Sequence, residues 1–292
     1  MFKDTVVVAF GTAMSRLTGL LRVIVFGVII GQTALADAFD GANNSPNSIY
    51  ELLVGGLLAA SLVPLFTRFA EDKDEEATEA VVSTSLIVLA LATVVAILAA
   101  PLIFRLFSLH PSYLVDPDEF RRAGTAMTRI FLVQIFFYGV TALMTAALNA
   151  RRKFFAAAWA PVASNVIIIV SLLFIPAVLD GKPTLSTVND SSSLRWLLGL
   201  GATGGIAVMA ALLVYSFRRE NIGFHFRPQF SHPAVKQLAR LSTWTFGYVV
   251  AIQISLIFIR NLARPGSGGP DAYTKAYIFF QLPHGLLAVS LA

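Results

Sequence analysis

Two arginines, Arg16 and Arg22, lie inside an apolar run from Thr5 to Ile30. A guanidinium near the bilayer centre costs about 2.5–3.5 kcal/mol on insertion scales, so two in one span call for a wet cavity or a bound anion. Guanidinium groups stay charged at physiological pH and grip phosphate through paired N–H bonds, which suits them to a pyrophosphate-bearing ligand. The next apolar run carries Asp37, Asp40, Asn44, Asn47 and Glu51 at spacings of 3, 4, 3 and 4. At 3.6 residues per turn these five form one narrow helical stripe. The remaining faces, rich in Ala, Phe, Ile and Leu, are expected to meet lipid, and the stripe an interior shared with the arginines. Carboxylates there would hold Arg16 and Arg22 in place when no anion is bound. Pro46, in the middle of the stripe, removes a backbone hydrogen bond and is expected to kink the helix. Pairing of the arginines with Asp37, Asp40 or Glu51 merely to hold the bundle together is the plainer alternative. The rarity of ionisable groups without a function inside membranes favours a transport cavity.

The elements that must position these residues are membrane helices. Hydrophobic residues make up 56% of the chain and charged ones 13%, about half the charge of a soluble domain; mean hydropathy is +0.72. The fold class is therefore an all-α integral membrane protein, a polytopic helix bundle. Apolar windows of about 20 residues give spans near 5–30, 35–66, 81–107, 123–149, 156–179, 194–217, 238–259 and 272–292, the last cut by the end of the chain. With the N-terminus inside, cytoplasmic segments hold eleven Lys and Arg and outer segments seven, among them Arg260 and Arg264. The tight cluster Arg151-Arg152-Lys153 strengthens that orientation, since basic residues are retained in the cytoplasm.

Other chemistries find little support. The net charge of +5 is spread over separate membrane-flanking loops, which fits anionic lipid and argues against a nucleic-acid partner. The chain has no cysteine, its four histidines lie far apart, and it has no Walker-type loop, so neither a metal, a thiol nucleophile nor ATP hydrolysis is expected, and no cofactor is implied. Thr5–Ile30 is too long and too charged for a cleavable signal. The acidic run Asp72 to Glu79 reads as a solvated loop, the Pro265–Pro270 glycine-rich stretch as an extramembrane turn, and Gly201 with Gly205 as a close helix contact.

Ser15-Arg16, Gly19 and Arg22, then Ala36-Asp37-Ala38-Phe39, Pro46-Asn47, Gly56, Val63-Pro64 and Phe280–Ser290 together resemble the MurJ (MviN) family of lipid II flippases, across essentially the whole chain. Asn47–Leu53 resembles the actinobacterial branch. The resemblance implies the N-terminal lobe of a MATE/MOP-like two-lobed, fourteen-helix transporter, with residues 1–220 as spans one to six and 221–292 as the truncated start of the second lobe. It implies a protein of the bacterial inner membrane that moves undecaprenyl-pyrophosphate-linked peptidoglycan precursor to the outer leaflet by alternating access. Cell-wall synthesis or division proteins are possible partners on this view, alongside membrane lipid. Arg16, Arg22, Asp37 and Asn47 match cavity positions of the family, while Tyr50 and Ile278 stand where many members carry arginine. Lys275, three residues before Ile278, lies on nearly the same helix face; it either supplies the missing cation or snorkels to the outer interface.

A MATE-like drug or ion antiporter, an exporter of another polyprenyl-linked saccharide, and a non-transporting scaffold for cell-wall enzymes are the alternatives. The first should line its cavity with acidic or aromatic groups, the second differs only in substrate, and the third tolerates loss of cavity charge. The lack of a nucleotide site points to an ion gradient or the membrane potential as the energy source. The topology has a direct check: an Arg152→Cys variant should resist impermeant thiol reagents in intact cells, and labelling there would reverse the orientation.

Overall fold

The computed structural model describes residues 2–51, 62–220 and 224–283. Gly56 and the stretch from His284 to Ser290 lie outside the described residues, as do the middle of the second expected span and the end of the eighth. The described chain is helical, in the order α1 (Phe2–Ile29), α2 (Ala34–Tyr50), α3 (Leu62–Glu71), α4 (Glu75–Leu98), α5 (Ala100–Leu106), α6 (Pro117–Phe131), α7 (Gln134–Ala150), α8 (Phe154–Leu173), α9 (Ile175–Val178), α10 (Leu185–Asp190), α11 (Ser192–Arg219), α12 (Pro233–Leu262) and α13 (Gly269–Pro283).

Among the described residues, five stretches are long and apolar enough to cross a membrane: Val6–Ile29, Glu75–Leu98, Pro117–Ala150, Phe154–Val178 and Ser192–Arg219. They coincide with the first, third, fourth, fifth and sixth expected spans, and the chain is a multi-pass membrane protein. The bundle has two ends. The connections 30–33, 107–116 and 263–268 lie at one, called distal here; 72–74, 151–153 and 224–232 lie at the other, proximal end. Side chains such as Leu17, Val28, Leu91, Leu98, Leu173 and Phe258 are exposed along the outer surface, where hydrocarbon in place of water removes the cost of exposing them.

Small residues set the spacing of the central helices. On α1, a Cβ at Gly11 would stand 2.8 Å from the Ala158 Cβ on α8. On α11, a Cβ at Gly201 would run into the Ser171 side chain, and one at Gly205 would lie 2.8 Å from the Ser164 carbonyl oxygen. Gly201 and Gly205 thus bring α11 against α8, the close approach that small-xxx-small patterns permit in membranes.

One expectation about α2 needs correction. Its apolar face does not meet lipid: Leu35, Ala36, Ala38, Phe39 and Ala42 are buried in a cluster with Phe120, Ala123, Met127 and Phe131 of α6. With its other face turned to α13, α2 is an interior helix enclosed on both sides. The helix also continues through Pro46 to Tyr50.

The glycine contacts yield a paired test. Gly205→Ala should cost on the order of 1–3 kcal/mol through overpacking against the α8 backbone, read as a lower midpoint of thermal unfolding in detergent. Gly204→Ala, with nothing within 4 Å of the new methyl, should match the parent protein. Equal behaviour of the two would remove the close contact as the reason for the glycines.

Candidate functional site

Two cavities, of about 200 and 340 Å³, share Arg22, Val23, Ile206 and Ile278 as a common wall. The smaller is lined by Asp40, Asn43, Asn44, Asn47, Tyr138 and Lys275 among others. The larger is lined by Ser15, Arg16, Gly19, Ser164 and Asn165. The two helix-one arginines therefore line adjoining cavities, Arg22 both of them and Arg16 the larger, as their cost in lipid requires. Their helix is held by Asn165 of α8, whose amide donates to the Ser15 carbonyl at 3.2 Å and to the Thr18 hydroxyl at 3.1 Å. Asn47 and Tyr138 line the smaller cavity together, and the Tyr138 ring packs on Tyr50 with centroids 5.4 Å apart.

The acidic groups of the stripe do not hold Arg16 and Arg22. Among the described residues, neither arginine is in an ion pair. Asp37 instead accepts three backbone N–H bonds, from Gly266 at 2.8 Å, Gly268 at 2.7 Å and Asp271 at 2.9 Å. Gly266 and Gly268 have φ of +93° and +84°, a left-handed conformation open to glycine at little cost. Their N–H groups converge with the first turn of α13 into a cradle for an anion. The Pro265–Pro270 stretch is thus more than a turn: it binds a carboxylate, and that carboxylate is Asp37.

Asp40 is saturated in the same way. It accepts from Arg260 of α12 at 2.5 Å, from the Thr274 hydroxyl at 3.1 Å and from Asn44 at 2.8 Å. Arg260 and Asp40 are both nearly buried, with side chains 9% and 10% exposed, and the guanidinium stands 5.6 Å from the Phe107 ring centroid. Glu51 accepts from Gln253 of α12 at 2.6 Å. Each carboxylate of α2 is therefore bound by the segment beyond residue 220, and the stripe is a seam between α2 and α12–α13.

Lys275 projects onto the smaller cavity. Its ammonium lies 2.5 Å from Asp271 and 5.4 Å from the Phe26 ring centroid.

Sequence reasoning missed two members of this seam. Arg260 had been placed in an outer loop because it closes an apolar run; it is the buried partner of Asp40, 220 positions away. The glycine-rich turn carried a usable signal in Gly266-Ser267-Gly268-Gly269 directly before a helix start. At the proximal end Glu79, expected in a solvated loop, is 6% exposed. It accepts from the backbone N–H of His225 at 2.7 Å, and the same connection continues with Arg227 N–H on Ser83 and Gln229 N–H on Thr84, each at 3.0 Å.

Residues 26–292 match the family model described as "Lipid II flippase MurJ". A Burkholderia cenocepacia protein named "Lipid II flippase MurJ" is 31% identical over the whole of this chain and 55% of its own length. A Rhizobium meliloti protein named "Probable lipid II flippase MurJ" is 29% identical over the whole chain and 53% of its own length. The chain spans about half the length of the curated relatives it matches. A solved structure titled "Lipid II flippase MurJ, inward closed conformation" superimposes with a TM-score of 0.72 at 23% identity, covering 97% of this chain and 56% of that one, so the fold is shared. The extent of the family match and the 31% identity to the Burkholderia protein across the whole of this chain place it in the MurJ family of lipid II flippases.

Proposed function

We propose that this chain forms the cation-lined part of a flippase that carries lipid II, an undecaprenyl-pyrophosphate-linked peptidoglycan precursor, from the inner to the outer leaflet by alternating access. The observation that carries this reading is the pair Arg16 and Arg22: two guanidinium groups on adjoining cavities, Arg22 half-buried and Arg16 exposed, with every carboxylate of the facing helix already engaged elsewhere. A cavity of that kind favours a polyanion and disfavours the cationic substrate of a drug exporter. Arg22 and Lys275 line one chamber and Arg16 the next, giving a pyrophosphate successive cationic contacts along the α1–α13 side.

Residues 1–220 act as the first lobe and 221–292 as the start of the second, the boundary falling in the connection that lies along α4. By the basic-loop rule the proximal end is cytoplasmic and the distal end faces outward. The α2 seam then closes the outer side, and exit of the substrate requires Asp37 and Asp40 to release the glycine turn and Arg260. Cell-wall synthesis and division proteins are the natural neighbours of such a transporter in the bacterial inner membrane.

The test uses the full-length protein in depleted cells and in proteoliposomes carrying fluorescent lipid II. Arg16→Ala and Arg22→Ala should each slow flipping by on the order of 10–100-fold, the worth of a charge-assisted hydrogen bond, and fail to restore growth. Lys275→Ala should be impaired and Lys275→Arg tolerated, because the charge on the cavity is retained. Normal flipping by both arginine variants at normal expression would sink the proposal. Full activity of Lys275→Gln would confine the cationic site to Arg16 and Arg22.

A further inference from the structure

Midway through the fourth span the helix breaks. Leu132 and Val133 separate α6 from α7, and the Ile135 N–H turns back to the Leu132 carbonyl at 3.1 Å. The break is packed tightly, since a Cβ at Gly199 of α11 would lie 2.7 Å from the Ile130 side chain. Thr203, one turn further along α11, donates its hydroxyl to the Ile130 carbonyl at 3.2 Å. With its one hydrogen spent there, Thr203 can only accept from Gln134, which presents Nε2 to it at 3.2 Å. That relay fixes the orientation of the Gln134 amide. Its Oε1 is consequently turned away from Thr203, is buried, and has no hydrogen-bond partner.

Gln134 is 0% exposed and lies on the wall of the smaller cavity with Asn43, Asn47 and Tyr138. Buried polar atoms are paired in the great majority of cases, so an oriented acceptor left open beside a cavity calls for a donor from whatever fills it. A phosphate has only acceptor oxygens to offer and would be repelled. A metal cation is disfavoured by Arg22, because the two carboxylates on the same cavity are already taken, Asp271 by Lys275 and Asp40 by Arg260. Hydroxyl and amide N–H groups remain, and the neighbouring Asn43, Asn47 and Tyr138 carry the mixed donors and acceptors that such groups need.

We propose that the Gln134 face of the cavity is a subsite for the hydroxyl and amide groups of the transported headgroup, with Gln134 Oε1 as its fixed acceptor, while the cations take the phosphates. The inference rests on the flippase reading and assigns to this face the recognition of sugar and peptide that pyrophosphate binding alone does not provide. Thr203 is the positioning residue that keeps the oxygen aimed.

Two probes separate the roles: lipid II and undecaprenyl pyrophosphate, which lacks the saccharide and peptide. Their affinities are measured on the full-length protein in detergent. Gln134→Leu should weaken lipid II binding by about 5- to 10-fold, as expected for one lost hydrogen bond, with undecaprenyl pyrophosphate binding retained as the control for folding. Thr203→Val, which leaves the glutamine but frees its amide to turn, should show a smaller loss with the same selectivity. Arg22→Ala should weaken both lipids. Unchanged affinity of Gln134→Leu for lipid II would overturn the subsite, as would an equal loss for both lipids in both variants, which marks a structural role. A parent protein that binds neither lipid removes the flippase reading and the subsite with it, a pattern distinct from either.

Discussion

Carboxylates buried in a membrane bundle must find donors, and on α2 they find most of them across a seam. Asp37 takes three backbone N–H groups from the turn before α13 and its first residues, and Asp40 takes Arg260, Thr274 and Asn44. Removing one partner from a buried ion pair costs about 3–5 kcal/mol, because the other is left charged and unpaired. The packing of α2 follows from this. Its apolar side packs against α6, so rotating the helix to relieve its acids would give up that packing, and closing the distal end satisfies them without it.

The same constraint shapes the cavity. Had the acids of α2 turned to Arg16 and Arg22, the bundle interior would be neutral and closed to an anion. Because they are engaged by α12 and α13, the arginines keep their full charge for a ligand. Opening the seam then has to be offset by something that binds the open form better. On the proposed reading the substrate's pyrophosphate would do this through its contacts with the cations, and a membrane potential would add about 2.3 kcal/mol per charge moved through 100 mV. On that reading, substrate binding and the gradient together have to match the worth of these few buried charge contacts.

Much of this was legible in the sequence because membrane solvation leaves strong local marks. Five of the expected spans recur as apolar helices, and the 37, 40, 44, 47, 51 stripe does lie on one helix. Gly201 and Gly205 announced the α8–α11 contact through their spacing. What was not legible depends on partners distant in the chain. The pairing of Asp40 with Arg260 joins residues whose local contexts, a polar stripe and the end of an apolar run, gave no hint of each other. The burial of α2 on its apolar side also escaped, since Leu35 and Phe39 read equally well as lipid-facing or core residues. Gln134 was overlooked for a related reason: a single amide in an apolar run has no periodic signal, and only the relay through Thr203 to a broken helix gives it an orientation.

The central claim is that the α2 carboxylates hold the distal end closed. It is tested most directly by the distance between spin labels at Gln32→Cys and Ser267→Cys in cysteine-free full-length protein, positions that flank the seam with Gly268 packed on Gln32. The native seam should give one short-distance population, and Asp40→Asn should add a second, longer one as Arg260 loses its partner. A short-distance distribution that stays unchanged in both Asp40→Asn and Arg260→Gln, with each variant still folded, would contradict the account.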